Sequence, residues 1–275
     1  MATKISIQGY EGCFHQVAAR KYFGNNVEVI PCATFRDVVK IASDTKESDG
    51  GVMAIENSIA GSILSNYNLL KNTNLQIVGE VYLHIQQNLL VNPGVRWEDI
   101  QEVHSHPMAI LQCLEFLEKN NWKVVETEDT ALSAKYIHLK GSKHIAAIAS
   151  KLAADLFELD IIAPNIHTTQ NNNTRFLILQ RPDRAIVVKH PNKASIIFDT
   201  DPSKGRLAKV LTKIADSGIN LDRIQSMPIP GTYWKHFFYV DMEFENKTQF
   251  DEVIDSIKPL TENLKILGIY KKGNI

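Results

Sequence analysis

No stretch of this chain approaches the roughly 18 consecutive apolar residues of a membrane-spanning helix, which argues against a helical anchor. Cysteine is scarce. Cys13, Cys32 and Cys113 are odd in number and widely spaced, which argues against a disulfide framework and fits free thiols in a reducing compartment. Neither sign of charge prevails: 30 basic residues stand against 31 acidic ones, for a net charge of −1. The chain thus lacks the basic surplus of a nucleic-acid or anionic-membrane binder. The opening "MATKISIQGYEGCF" has no apolar core and no small-residue cleavage pattern, so a cytoplasmic location is expected. A metal-ligand set is also missing. His104 and His106 share one face of a strand, but no cysteine or second histidine pair completes them, and no metal or organic cofactor is expected. "GYEG" has neither dinucleotide nor phosphate-loop spacing and reads as a tight turn.

What is present is a rhythm. The 275 residues suffice for one large or two ordinary domains, and 44% of them are hydrophobic, enough for a sizeable core. Up to about residue 180, short β-branched runs alternate with helical-period segments: "KISIQG" before Phe14–Phe23, "VEVIPC" before "TFRDVVKIASD", "WKVVETED" before "TALSAKYIHLK". That alternation predicts βαβ units and mostly parallel sheet. A paired two-strand stretch at 75–91 interrupts it and reads as the crossing between two α/β lobes, with "IIAPNIHT" and "TRFLILQ" returning the chain to the first. The expected boundaries are 1–181 for the two-lobed body, with its second lobe at about 80–163, then a linker at 182–193. Residues 194–275 follow the order βαββαβ, a ferredoxin-like arrangement.

A cleft between lobes is the natural place for a small ligand. Three polar strand-to-helix turns are expected to gather there: "ENSIAGS", "HSHP" with Pro107 opening a helix, and "TEDT" with Asp129 or Thr130 as cap. Each alone is explained by helix capping. Together with "NNNTRF" at 171–176 they point to an anion site built from backbone N–H groups. Gln112, off the apolar face of its helix, would look into the same cleft, whereas Cys113 on that face reads as a buried, inert thiol. Glu11 and Glu56 have no carboxylate partner in sequence that would mark them as general acids.

"GYEGCFHQVAA", "AIENSIAGS", "HSHPMAILQC", "AAIAS" and "NNNTRF", in this order, resemble prephenate dehydratase, and "GRLAKVL" with "INLDRIQSMP" resembles the ACT regulatory domain that usually follows it. The resemblance covers nearly the whole chain. It implies a two-lobed body of the type II periplasmic-binding-protein kind joined to an ACT domain. The implied activity is a carbon–oxygen lyase turning prephenate into phenylpyruvate in L-phenylalanine biosynthesis, with feedback by L-phenylalanine and a homodimer or homotetramer as assembly. Thr174 would attend the leaving hydroxyl, Arg175 would anchor a carboxylate and Phe176 would buttress them. Asn57, Ser58, Ser105 and Gln112 would position the substrate, and Gly205, Leu207, Asn220 and Leu221 would line the effector pocket. Tyr10, Cys13, Met108, Arg206 and the "QSMP" segment depart from the family pattern. Two other readings stay open: an arogenate dehydratase, and a non-catalytic protein that binds a small carboxylate.

Overall fold

Local sequence sets most of the helix starts. In the computed structural model, which describes residues 3–185, 188–201, 203–229, 231–233 and 235–274, Thr34, Asp129, Ser150 and Asn246 each cap a helix by accepting a backbone N–H three residues on. The first lobe begins with strand β1 (Lys4–Gln8), helix α1 (Phe14–Phe23), β2 (Glu28–Cys32) and α2 (Phe35–Ser43). It continues through β3 (Gly50–Asn57), the two-residue β4 (Gly61–Ser62), α3 (Leu64–Lys71) and β5 (Gln76–His84). The second lobe holds β6 (Asn88–Val91), β7 (Glu102–Ser105), α4 (Pro107–Gln112), α5 (Leu114–Leu117), β8 (Lys123–Glu126), α6 (Thr130–Lys140), β9 (Ile145–Ala149), α7 (Lys151–Leu156) and β10 (Asp160–Ala163). β11 (Asn173–Gln180) then returns to the first sheet.

Two separate sheets result, ordered β2-β1-β3-β11-β5, with β4 on β3, and β10-β6-β9-β7-β8. β11 lies antiparallel between β3 and β5. The two strands read at 75–91 therefore do not pair with each other: β5 belongs to one lobe, β6 to the other, and the crossing is confined to residues 85–87. "IIA" likewise stays in the second lobe as β10, and only β11 comes back. "ENSIAGS" also differs from expectation. It is the β3–β4 hairpin, with Asn57 opposite Gly61, and α3 begins beyond it.

The last unit consists of β12 (Lys193–Asp199), α8 (Arg206–Asp216), β13 (Asn220–Pro228), β14 (His236–Glu243), α9 (Lys247–Ile257) and β15 (Glu262–Tyr270). Its sheet is antiparallel, ordered β13-β14-β12-β15. Val210 and Ile214 of α8 and Phe250, Val253 and Ile257 of α9 close its own core. Of the expected linker at 182–193, Ile186 and Val187 lie outside the described residues, as do Pro202, Pro230, Trp234 and Ile275 of the terminal unit.

The unit is not a loose appendage. One apolar cluster runs from Met53, Ile77 and Leu177 of the first lobe into Ile197, Phe237 and Leu267 of the terminal sheet. β15 lies so close to β5 that a Cβ at Gly268 would run into the carbonyl of Ile77, so only glycine fits the seam.

Candidate functional site

The carboxyl ends of β1, β3, β7 and β8 and the crossing strands frame a cavity of about 240 Å3 between the lobes. Thr174 and Phe176 of β11 line it, with Asn57 at the end of β3, Gln8 at the end of β1, Cys13 just before α1 and His15 within it. The second lobe contributes His106, Gln112, Glu128 and Asp129, and Gln87 comes from the crossing. Tyr10 donates to Glu128 at 2.9 Å, and the Ser150 hydroxyl donates to the Gly12 carbonyl at 2.5 Å, so the lobes are tied together beside the cleft.

The Thr174 hydroxyl is oriented by its neighbours. The Asn57 carboxamide oxygen accepts from the N–H groups of Ile59 and Ala60, both at 2.9 Å, which fixes the amide and turns its NH2 toward β11. That NH2 donates to Thr174 Oγ1 at 2.9 Å and to Asn172 Oδ1 at 2.7 Å. With a lone pair of Thr174 engaged by Asn57, its own proton is left to donate into the cleft.

The resemblance grouped Thr174, Arg175 and Phe176 at one site, but a strand points alternate side chains to opposite faces. Arg175 accordingly faces away from the cavity and is 1% exposed. Its Nε donates to Glu80 at 2.7 Å, Nη1 to Asp241 at 2.5 Å and Nη2 to the Tyr270 hydroxyl at 3.1 Å. Lys193 adds a bond to the same Glu80 at 3.1 Å and another to Asp222 at 2.6 Å. Burial alone would lower the Arg175 pKa, but Asp241, Tyr270, Tyr239 and Glu80 hold it well above its ordinary value. Burial likewise pushes Asp241 up, and Arg175 with its hydrogen bonds pulls it below the usual carboxylate range. Both groups are therefore charged. Arg175 cannot clamp a substrate carboxylate from this position.

Two more expected contacts fall elsewhere. Ser58 is exposed and staples the asparagine run, donating to the Asn171 carbonyl at 2.8 Å and accepting from Asn173 N–H at 2.9 Å. Ser105 is fully buried and donates to the Ile148 carbonyl at 2.7 Å on the adjacent strand. Gln112 does line the cavity, accepting from the Gln87 amide at 3.2 Å.

His15, Gln8 and Gln87 line the cavity without a mark in the sequence reading, beside Cys13 and Asp129, which it names. His15 sits edge-on to Phe176, with ring centroids 5.0 Å apart, and accepts from Ala54 N–H at 3.4 Å. Burial pushes its pKa down to about 3, so it is a neutral ring. Burial also pushes the Cys13 thiol up to about 12, and that thiol donates to the Gln8 carbonyl at 3.6 Å. Cys13 makes no side-chain cap for α1, which leaves the positive end of that helix open. Burial raises Asp129, although Leu132 N–H and Ala131 N–H counter it. The strand end at Gln8 and the turn carrying Asp129 were the available signals. Nothing local marked Gln87.

His106 caps α4 and borders the cavity, whereas His104 pairs with Glu102 at 2.8 Å. Among the described residues no group of three or more His, Cys, Asp or Glu side chains is placed to hold a metal ion. No described helix is long and apolar enough to cross a membrane. In the terminal unit, Leu207 and Leu221 pack on its core and Asn220 begins the edge strand β13. Gly205, expected at the effector pocket, has no atom of this chain within 4 Å of a would-be Cβ. What requires glycine there is a φ of 78° at the start of α8.

The model of the prephenate dehydratase family matches residues 5–184. Among curated proteins, the bifunctional chorismate mutase/prephenate dehydratase of Enterobacter agglomerans is 30% identical over 279 residues, covering 100% of this chain and 72% of that protein. Arogenate dehydratase/prephenate dehydratase 1 of Arabidopsis thaliana, chloroplastic, is 36% identical over 282 residues, covering 97% and 71%. Among solved structures, one described as GqqA, a novel type of quorum quenching acylase, matches with a TM-score of 0.88, 29% identity and 98% coverage of both chains. The prephenate dehydratase of Arthrobacter aurescens in complex with L-Phe has the same fold, with a TM-score of 0.85, 24% identity and coverage of 98% of this chain and 90% of that one. By the span of the family match and the identity of these relatives, the chain belongs to the prephenate dehydratase family.

Proposed function

We propose that the cleft converts prephenate to phenylpyruvate, with Thr174 as the catalytic hydroxyl. The bond from the ring to its carboxylate breaks, its electron pair becomes a ring π bond, and the ring C–O bond breaks as carbon dioxide leaves. The departing hydroxide takes up a proton and becomes water. Aromatisation supplies the driving force, so the site must orient a dianion and donate a hydrogen bond to the leaving oxygen. The observation that carries this reading is the Thr174 hydroxyl on the cavity wall, which accepts from Asn57 and so keeps its own proton to donate. With Arg175 turned away, a substrate carboxylate belongs at the uncapped start of α1, where partial positive charge is fixed in place. Phe176 and His15, packed edge to face, give the ring an aromatic wall, and Asn57, Gln112 and Gln87 are left to orient the polar ends.

An acyl-transfer chemistry like that named for the GqqA structure finds less support. The Thr174 hydroxyl is bonded to an amide and the Cys13 thiol to a backbone carbonyl, so neither is paired with an activating base. Arogenate is the competing substrate, since the Arabidopsis relative carries both names. The terminal βαββαβ unit is read as an ACT domain that binds L-phenylalanine and inhibits, in a cytoplasmic homodimer or homotetramer. Purified chain incubated separately with prephenate and arogenate decides the matter. Phenylpyruvate from prephenate supports the proposal, phenylalanine formed faster from arogenate reassigns the substrate, and no product from either leaves a carboxylate-binding protein.

A further inference from the structure

The first lobe meets the terminal unit through a cross-strand pair one step removed from the cleft. In the β3–β11 ladder Thr174 stands opposite Asn57, and Arg175 stands opposite Glu56. The pleat sends the first pair into the cavity and the second to the other side, where the terminal unit holds both members. Asp241 of β14 pairs with Arg175, and Arg223 of β13 pairs with Glu56 while donating to Ser62 Oγ at 3.0 Å in the adjoining hairpin.

We propose that Glu56 and Arg175 are positioning residues through which the terminal unit sets the geometry of the Asn57–Thr174 pair. Thr174 and Arg175 are consecutive on one strand, as are Asn57 and Glu56 on the next, so neither ion pair can shift without moving the backbone that carries the cleft groups. The link reaches further into the unit. Asp222 and Arg223 follow Asn220 and Leu221 directly on β13, and Asp222 holds the Lys193 ammonium that is shared with Glu80. A displacement of edge strand β13 thus reaches β3 through Arg223 and β11 through Lys193, Glu80 and Arg175. The consequence for rate rests on the dehydratase reading, while the mechanical link does not.

The test uses the full chain and two changes made only in the terminal unit, Arg223→Gln at the half-buried rim and Asp241→Asn in the buried cluster. Each is expected to lower kcat about tenfold with KM within about twofold, since small displacements of positioned groups are costly in rate. In a Thr174→Ala background the further loss is expected to vanish, because the positioned group is already gone. Equal losses in both backgrounds, or wild-type kcat in a folded Arg223→Gln protein, overturn the proposal. Amide exchange supplies a readout independent of turnover. Residues 171–177 and 53–60 should exchange faster in Arg223→Gln than in the wild type, with β7 and β9 of the second lobe unchanged. If the wild-type chain fails to turn over prephenate, the activity reading falls and exchange alone decides: unaltered protection in those two segments overturns the link. Should Asp241→Asn fail to fold, Arg223→Gln carries both measurements.

Discussion

Thr174 is a single hydroxyl with two neighbours to satisfy, the Asn57 amide behind it and whatever occupies the cavity in front. Thr174→Ala is expected to lower kcat by about 10²–10³, the range for loss of one preorganised donor. Thr174→Ser should keep much of the rate, and the melting temperature should hardly change in either variant. His15 gives a pH prediction of definite sign. Its folded pKa is pushed down to about 3 from the ordinary 6.5, so below 6.5 the unfolded chain takes a proton that the folded chain refuses. Stability from this residue is complete above pH 6.5 and is lost as the pH falls toward 3. The pH-dependence of urea unfolding, wild type minus His15→Gln, should therefore show a positive slope across that window and none above it. Of the cavity lining, Thr174 and Asn57 were legible from their polar segments and Gln112 from its off-face helix position, while Phe176 followed only from the family resemblance. Arg175, Ser58 and Ser105 were misplaced since a motif records which residues travel together, not which side of a strand each faces.

Among elements, the return of β11 to the first lobe is legible from order along the chain, but its position within that sheet is not. Its sequence looks like any buried strand, and its insertion between β3 and β5 depends on the path of the second lobe, which local periodicity does not encode. The helices were more legible, since Thr34, Asp129 and Asn246 mark their own starts. β5 and β6 were read as partners because adjacent strands usually pair; here a three-residue crossing carries the chain into another sheet instead. The contact of β15 with β5 gives a test at this scale. A methyl group at Gly268 has no room beside Ile77, so Gly268→Ala should destabilise the chain by about 1–3 kcal/mol in urea unfolding, the usual cost of overpacking.

For the whole molecule, the terminal unit acts as a wall of the first lobe. The boundaries expected from sequence end the two-lobed body at 181, which makes a chain ending near Arg184 the natural truncation. A cut there would expose Met53, Ile77 and Leu177 and remove Asp241 from Arg175. Stripping one partner from a buried ion pair costs about 3–5 kcal/mol. The shortened chain is therefore expected to melt earlier and turn over more slowly than the full one, by calorimetry and rate assay side by side. Equal melting and equal kcat would return the unit to the status of an attachment.

The glycine seam and the two ion pairs also bear on descent. A tail borrowed from another member of the family would have to arrive with an acid for Arg175, a base for Glu56 and a bare backbone opposite Ile77. Chimeras that exchange the two parts should fail unless those partners are exchanged together, and substitutions on one side should be inherited with their complements on the other.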